Sequence, residues 1–261
     1  REMTVLFSDV RGFTTISEGL APQDLTMLMN AFLSPMTRVI HDHRGTIDKY
    51  MGDAIMAFWG APLSDPDHAR NAVRAALGMV RTMDALKDEF VAKGWKPIKV
   101  GIGLNTGVMN VGNMGSDFRM AYTVLGDAVN LGSRVESLTK QYGVNLMITE
   151  FTRAKLPDLL CREVDLVRVK GKSEPVRLFE PIGFAGEVED EATLHQSLDA
   201  LLDALALYRA QRWDAAETAF KALAAREPDR RLHALYLERI EHFRAEPPGE
   251  DWDGVYTHKE K

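Results

Sequence analysis

The sequence has few of the features that mark secreted, membrane-spanning or nucleic-acid-binding chains. It contains one cysteine, Cys161, so no disulfide bond can form within the chain, and a reducing compartment is favoured. No apolar run reaches the roughly 20 residues that a membrane-spanning helix needs. Basic residues are not in excess, because 32 lysines and arginines face 38 aspartates and glutamates, for a net charge of −6. We therefore expect neither nucleic acid nor a membrane as a partner of this segment.

The motifs of several enzyme classes are missing as well. There is no glycine-rich phosphate loop ending in Gly-Lys-Ser/Thr, no serine-hydrolase elbow and no Cys/His spacing typical of zinc. The 261 residues suffice for one large domain with an appendage. Because Arg1 stands two residues before a predicted strand, we expect the chain to be part of a longer protein. That protein is expected to be cytoplasmic, or this segment to be the cytoplasmic part of a membrane-anchored one.

Strands and long helices alternate along residues 1–186, and several strands are joined as hairpins. Hydrophobic spacing of three and four residues predicts helices at 22–43, 65–93 and 127–141. Apolar runs and turn residues predict strands at 3–9, 47–58 (a hairpin), 99–105, 106–115, 144–148, 166–170 and 176–179. We predict an α+β fold, with a mixed, mainly antiparallel sheet and helices packed on one of its faces.

A change in composition predicts a second region. Residues 187–193 are acidic, lack an apolar pattern and are interpreted as a linker, after which residues 194–246 are strongly helical. The order of Ala204, Tyr208, Trp213, Ala216, Phe220 and Pro228 is similar to one tetratricopeptide unit. This extension is either a helical cap on the main domain or a separate binding module. The polar tail, 247–261, is either disordered or a docking strand.

Two aspartates stand at the tips of predicted strands. Asp9 ends the first strand, and Asp53 follows Gly52 in the turn of the hairpin at 47–58. Carboxylates on neighbouring strand ends can hold one or two divalent cations whose coordination is completed by substrate phosphates. Spacing alone leaves a second interpretation open, in which Asp9 caps the turn at Gly12 and Asp53 is an ordinary turn residue.

Two further polar groups are candidates for phosphate binding. Asn130 and Arg134 lie four residues apart in a predicted helix and share one face, where an amide beside a guanidinium suits a triphosphate. Lys170 and Lys172 flank Gly171 in a predicted turn, from which a lysine can reach a phosphate. A solvated helix face and an ordinary surface turn are the alternatives.

Four ordered segments at compatible separations resemble the catalytic domain of class III nucleotidyl cyclases. They are Phe7-Ser8-Asp9-Val10-Arg11-Gly12-Phe13-Thr14, Asp48-Lys49-Tyr50-Met51-Gly52-Asp53, Gly126-Asp127-Ala128-Val129-Asn130-Leu131-Gly132-Ser133-Arg134 and Val169-Lys170-Gly171-Lys172. The resemblance covers residues 1–183. It implies a ferredoxin-like cyclase core, to which the helical region is a C-terminal extension.

The resemblance also implies a cofactor and a reaction. Asp9, Asp53 and the backbone carbonyl of Val10 are expected to bind two Mg²⁺ ions, for which Mn²⁺ can substitute. The reaction is attack of the ribose 3′-hydroxyl on the α-phosphate of ATP, which gives 3′,5′-cyclic AMP and pyrophosphate. Asn130 and Arg134 resemble the pair that stabilises the transition state.

Substrate binding is implied for five residues, namely Lys49, Thr123, Lys170, Gly12 and Phe13. Lys170 is similar to the lysine that touches the triphosphate, and Lys49 and Thr123 fall where the base is read. Lys49 can donate to N1 of adenine, and Thr123 can accept from the 6-amino group. Many members have aspartate at the position of Thr123, and threonine resembles the subgroup that includes bicarbonate-responsive enzymes.

Members of the family work as head-to-tail dimers with active sites at the interface, so a homodimer is implied. The metal aspartates then come from one copy, and the base readers, Asn130, Arg134 and Lys170 come from the other. Bicarbonate or an upstream sensor domain is a candidate regulator. Two alternative functions stay open: a guanylate cyclase, which Lys49 disfavours, and a catalytically silent cyclase-homology domain that binds a regulatory or protein partner.

Overall fold

The computed structural model describes residues 1–169 and 174–258, and its contacts divide the chain into two compact units. The first unit comprises 1–140 and 145–157, and the second comprises 141–144 and the residues from 158 onward. The division of the sequence at 186 and 193 stays a prediction. Lys170, for which a triphosphate contact is predicted, lies outside the described residues.

The first unit is built on five sheet strands, a separate hairpin and five helices. In chain order they are β1 (Glu2–Val10), α1 (Phe13–Glu18), α2 (Pro22–Asp42), β2 (Thr46–Met51), β3 (Ala54–Trp59), α3 (His68–Ala92), β4 (Val100–Val108), β5 (Asn110–Ser116), β6 (Arg119–Leu125), α4 (Asp127–Tyr142), β7 (Leu146–Thr149) and α5 (Glu150–Arg153). The sheet order is β7-β4-β1-β3-β2. All of these pairings are antiparallel except the parallel pair β4–β7, as a mixed, mainly antiparallel sheet requires.

Helices cover both faces of this sheet, so the expectation of helices on one face is wrong. Successive side chains of a strand point to opposite faces. On one face of β1, Thr4 Oγ1 lies 2.8 Å from Nδ1 of His68, the first residue of α3. On the other face, a Cβ atom added to Gly132 of α4 would lie 2.8 Å from Val5 Cγ1. Apolar residues at alternating positions of β1 are buried on both sides, and each side therefore recruits its own helix.

The hairpin β5–β6 differs from the predicted strand at 106–115. β4 continues to Val108, and the next strand begins at Asn110 and pairs with β6 rather than with β4. Met109 and Val124 are buried in an apolar cluster with residues of β1 and β3. The tip of the hairpin is different, because Phe118 is fully exposed and Met120 is 60% exposed.

Over its described residues, the second unit contains a strand pair, three helices and a short terminal strand. They are β8 (Leu159–Arg168), β9 (Val176–Phe184), α6 (Glu191–Arg209), α7 (Trp213–Arg226), α8 (Arg231–Ala245) and β10 (Tyr256–Thr257). β8 and β9 are antiparallel, and β10 is parallel to β8. α6 begins inside the segment interpreted as a linker, because Asp190 caps it by accepting a hydrogen bond from the N–H of Thr193. No described helix is long and apolar enough to cross a membrane.

The C-terminal tail is docked over the part that the structure describes. Trp252 packs against Tyr208, Trp213 and Phe243, and Tyr256 pairs with Val167 of β8. This favours the docking-strand interpretation over disorder. The tetratricopeptide resemblance of α6 and α7 stays a prediction.

Candidate active site

The main chain of β1 holds two carboxylates together. The N–H of Val10 donates to Asp9 Oδ1 at 3.0 Å and to Asp53 Oδ2 at 3.1 Å. Antiparallel pairing of β1 with β3 brings the β2–β3 turn to the end of β1. Gly52 has a φ of 67° in that turn, a conformation that glycine adopts without strain, and this lets the chain reverse directly before Asp53.

The electrostatics at this strand end favour an added cation. Partial burial, with a hydrogen bond and repulsion from Asp53, raises the pKa of Asp9 to about 6. Glu136 lies on the sheet-facing side of α4, and burial, with repulsion from Asp9 and Asp53, raises its pKa to about 7, although Arg11 opposes this. When the pKa values of neighbouring carboxyl groups are raised in this way, a bound cation stabilises their ionised forms strongly.

The donors fit Mg²⁺ and not a soft metal. Asp9 and Asp53 supply only oxygen atoms, which hard cations prefer, and Mg²⁺ commonly binds one or two carboxylates and completes its shell with water and phosphate. The described residues contain no group of three or more His, Cys, Asp and Glu side chains placed to hold a metal ion. Two carboxylates would fill only part of the octahedral shell that Mg²⁺ prefers, which leaves positions for water and phosphate oxygen atoms.

The predicted base readers meet at a residue that the sequence did not single out. Thr123 on β6 donates a 2.5 Å hydrogen bond from Oγ1 to Oδ2 of Asp48 on β2. Lys49 Nζ lies 3.2 Å from Oδ1 of the same carboxyl group. The Asp48 side chain is 1% exposed, whereas Lys49 is 45% exposed and can reach a ligand. Lys49 and Asp53, four residues apart, thus belong to two different clusters.

Asn130 and Arg134 lie on the outer face of α4. Gly132 and Glu136 face the sheet, since a Cβ on Gly132 meets Val5 and a Cβ on Gly103 would lie 2.2 Å from the backbone nitrogen of Glu136. At 100° per residue, Asn130 and Arg134 point roughly opposite to this packed side. Asn130 is exposed and Arg134 is half-buried, and neither makes a side-chain hydrogen bond or ion pair with another described residue.

The remaining predicted contacts lie beside the carboxylates. Gly12 is exposed and directly precedes α1 with a φ of 67°, and Phe13 begins that helix as a half-buried residue. Val10 is buried and pairs with Val100 of β4. The roles of Gly12, Phe13 and the Val10 carbonyl stay predictions.

Sequence reasoning missed Asp48 and Glu136. Asp48 stands within a quoted motif, but an acidic residue beside a lysine on a strand normally points to the opposite face, so its contact with Thr123 gave no signal. Glu136 follows Arg134 by two residues and falls on the other side of α4, toward the sheet. Its place there depends on Gly103, which has no side chain to hold the helix away.

Comparison with known proteins assigns this arrangement to a family. A protein-family model described as "Adenylate and Guanylate cyclase catalytic domain" matches residues 1–179. A Dictyostelium discoideum protein, "Adenylate cyclase, terminal-differentiation specific", is 36% identical over 245 residues, which are 92% of this chain and 11% of that protein. The chain spans 11% to 36% of the length of the first curated relatives.

Solved structures agree with that assignment. The adenylyl cyclase CyaB from P. aeruginosa is similar with a TM-score of 0.67 and 37% identity, over 72% of this chain and 97% of that one. The guanylyl cyclase Cya2 has a TM-score of 0.67 and 36% identity, over 72% of this chain and 95% of that one. Both base specificities therefore occur among proteins of this fold and similarity.

Proposed function

The chain belongs to the family of adenylate and guanylate cyclase catalytic domains, and we propose that it converts ATP to 3′,5′-cyclic AMP and pyrophosphate. One observation carries the choice of ATP: Lys49 and Thr123, from β2 and β6, both contact Asp48 and so lie together. The Dictyostelium relative and CyaB, both named as adenylate cyclases, support the same substrate.

The hydrogen-bonding pattern of the base explains the choice. Adenine presents an acceptor at N1 and a donor at its 6-amino group, which match a donating Lys49 and an accepting Thr123. Guanine presents N1–H and O6, so both contacts are reversed. A guanylate cyclase is the second candidate because Cya2 is similar to the same degree, and Lys49 is the residue that disfavours it.

The remaining residues act on the triphosphate. Asp9 and Asp53 would hold two Mg²⁺ ions, which would lower the pKa of the ribose 3′-hydroxyl and neutralise charge on the leaving pyrophosphate. Asn130 orients the ribose, and Arg134 donates to the charge that grows on the α-phosphate. Loss of one such donor costs about 3–4 kcal/mol of barrier. Lys170 is proposed to contact the triphosphate.

Each active site is shared between two copies of the chain. The carboxylates lie at the strand ends beside the sheet-facing Glu136, whereas Asn130 and Arg134 project from the opposite side of α4. One copy therefore cannot easily direct both sets at one phosphate, but two copies arranged head to tail can. The exposed Phe118 and Met120 at the hairpin tip offer apolar surface for such a dimer.

Direct assay tests the substrate. The chain with Mg²⁺ should form cyclic AMP from ATP and far less cyclic GMP from GTP, whereas a silent cyclase-homology domain would form neither. Lys49→Glu should shift the preference toward GTP, because a carboxylate accepts from N1–H. An unchanged ratio of the two rates would remove Lys49 from the base pocket.

A mixing experiment tests the shared site. Asp9→Ala and Arg134→Ala chains are each expected to be inactive, and their mixture should regain activity through one intact composite site. The matched control mixes Asp9→Ala with Asp53→Ala, which damage the same half and should not recover. Equal activity in both mixtures would contradict sharing.

The extension and the regulators need separate tests. We propose that α6–α8 form a cap, because Tyr236 of α8 donates to the Val164 carbonyl of β8 at 2.8 Å. Deletion of residues 194–261 should then lower the melting temperature, and a stable core with altered regulation would favour a binding module.

Regulation by bicarbonate is tested by comparing the rate of cyclic AMP formation in bicarbonate with the rate in chloride at constant pH. A cytoplasmic location stays a proposal.

A further inference from the structure

Asp48 is the extra residue of a β-bulge in the strand that carries Lys49. Ile47 pairs with Ala57 and Lys49 pairs with Met56, so Asp48 has no partner of its own on β3. A bulge rotates the strand and re-aims side chains that would otherwise alternate between faces. This explains how two consecutive side chains come together, with Lys49 Nζ 3.2 Å from Asp48 Oδ1.

The carboxyl group of Asp48 is built into the protein rather than offered to a ligand. Its side chain is 1% exposed, and Thr123 is 7% exposed. The contact with Lys49 is an ion pair without hydrogen-bond alignment, whereas the contact with Thr123 is a short hydrogen bond in which the hydroxyl donates. The carboxylate oxygen accepts in that bond, so the hydroxyl proton of Thr123 points at Asp48.

A threonine hydroxyl carries one proton and two lone pairs. Because Thr123 gives its proton to Asp48, only lone pairs are left for a ligand, and the hydroxyl can accept but not donate. Without that partner, the hydroxyl could rotate and donate to O6 of guanine as readily as it accepts from the 6-amino group of adenine. Threonine alone is therefore an ambiguous reader of the purine edge.

We propose that Asp48 is a specificity-determining residue: it fixes the direction of the Thr123 hydrogen bond, and so selects adenine. It is a positioning residue that acts through Thr123, and through its ion pair it also places the Lys49 ammonium group beside that hydroxyl. This inference rests on the proposed cyclase function and names what sets its base specificity.

The variant Asp48→Asn tests the proposal with little change in shape. Its amide can donate to Thr123 and free the hydroxyl proton. The readout is kcat/KM for ATP divided by kcat/KM for purine riboside triphosphate, which keeps N1 but lacks the 6-amino group. We expect this ratio to fall about tenfold, since one well-formed hydrogen bond is lost or reversed, and any change in the Lys49 contact with N1 affects both nucleotides and cancels in the ratio. Inosine triphosphate, which carries O6, should become a better substrate.

Thr123→Val provides the second variant and the background. It should lower the same ratio, and adding Asp48→Asn to it should change the ratio no further, because Asp48 then has no hydroxyl to orient and its contact with Lys49 acts on N1, which both nucleotides carry. Dissociation constants of the two nucleotides, measured by calorimetry, give the ratio without turnover. A chain that makes no cyclic AMP from ATP would contradict the proposed function. A ratio unchanged in Asp48→Asn, or lowered further by Asp48→Asn in the Thr123→Val background, would overturn the role of Asp48.

Discussion

Two clusters of charged side chains, one in each unit, are stabilised in opposite ways. In the second unit, Asp165 accepts hydrogen bonds from Tyr142 at 2.6 Å, from Arg239 at 2.7 Å and from the N–H of Leu166. The Tyr236 hydroxyl lies 2.9 Å from the same carboxyl group and shares its one proton between Asp165 and the Val164 carbonyl. In the first unit, Asp9 and Asp53 share a single main-chain donor and repel each other. The charge of Asp165 is compensated by Arg239 within the protein, whereas the charges of Asp9 and Asp53 favour an added cation.

The compensated cluster is structural. Asp165 is 1% exposed and the Arg239 side chain is 6% exposed, so each is the partner that makes burial of the other tolerable. The guanidinium of Arg239 also lies 3.5 Å from the centre of the Tyr256 ring. The cluster thereby joins β8, α8 and β10. Burial first, and then the charge of Asp165, holds the pKa of Tyr142 well above its ordinary value. A perturbed pKa therefore occurs both at a structural ion pair and at the candidate metal site, and the two differ in whether the protein itself supplies the compensating charge.

The largest expected effect follows from removing one carboxylate of the uncompensated pair. Asp53→Asn should lower cyclic AMP production by about a thousandfold, since metal ions contribute several kcal/mol to such transition states. Without metal, the Asp53→Asn variant should melt no earlier than the unchanged chain at pH 7.5, because the substitution removes the repulsion between Asp53 and Asp9. An activity assay checks the loss of cyclic AMP production, and thermal melting checks the stability. Asp199→Asn, at an exposed position of α6, is the control. A variant that melts earlier than the unchanged chain would contradict the comparison.

The opposite outcome is expected in the compensated cluster. Arg239→Met should lower the free energy of unfolding by about 3–5 kcal/mol, because Asp165 is left as a buried charge without its cation. Urea denaturation followed by circular dichroism gives this value. The double variant Asp165→Asn/Arg239→Met should be less destabilised than the sum of the single variants. Strict additivity would show that the two side chains do not compensate each other.

A smaller effect is expected from pH. The pKa of Asp9 is about 6 in the folded protein against 3.8 for an ordinary aspartate, so the folded state binds the proton more tightly. This contribution to stability is complete below about pH 4 and is lost as the pH rises through 6. Since Asp53→Asn removes the neighbouring charge, its melting temperature minus that of the unchanged chain should grow between pH 4 and pH 6 in EDTA. Mg²⁺ at pH 7.5 should reduce this difference in melting temperature. A difference that does not change between pH 4 and pH 6 would contradict the proposed repulsion between Asp9 and Asp53.

The smallest effect is expected at a surface cluster of the second unit. Arg244 makes ion pairs of 2.5 Å with Asp214 and Glu217, but these groups are exposed to water, which screens them. Arg244→Met should leave the denaturation midpoint unchanged within error. It is the matched control for Arg239→Met, and a comparable loss in both would remove burial as the explanation.

Local patterns predicted much of the fold but not its pairings. The long helices and the β2–β3 hairpin follow from apolar spacing and turn residues. β6 was missed because it places Met120 and Tyr122 on an exposed surface, where no buried alternation marks a strand. β8 begins at Leu159 rather than at 166, since two bulges, after Leu160 and after Glu163, interrupt its alternation. α1 follows a glycine turn and is too short for a periodic signal.

The candidate site was likewise predicted only in part from the sequence. The resemblance to a family identified Asp9, Asp53, Lys49 and Thr123, and the structure brings them together as two clusters. Asp48 was not predicted, because its role arises from a bulge and from a strand 75 residues away. Contacts of that range depend on tertiary packing, which single-sequence patterns do not contain.

The single donor between the two carboxylates is a peptide N–H, and this has a consequence for how the site tolerates mutation. Every amino acid except proline presents that group, so replacing the Val10 side chain leaves the carboxylate spacing intact. The distance between Asp9 and Asp53 is therefore inherited with the strand pairing rather than with the identity of residue 10. Apolar side chains that fit this buried position should therefore preserve the carboxylate spacing, whereas proline would remove the shared donor.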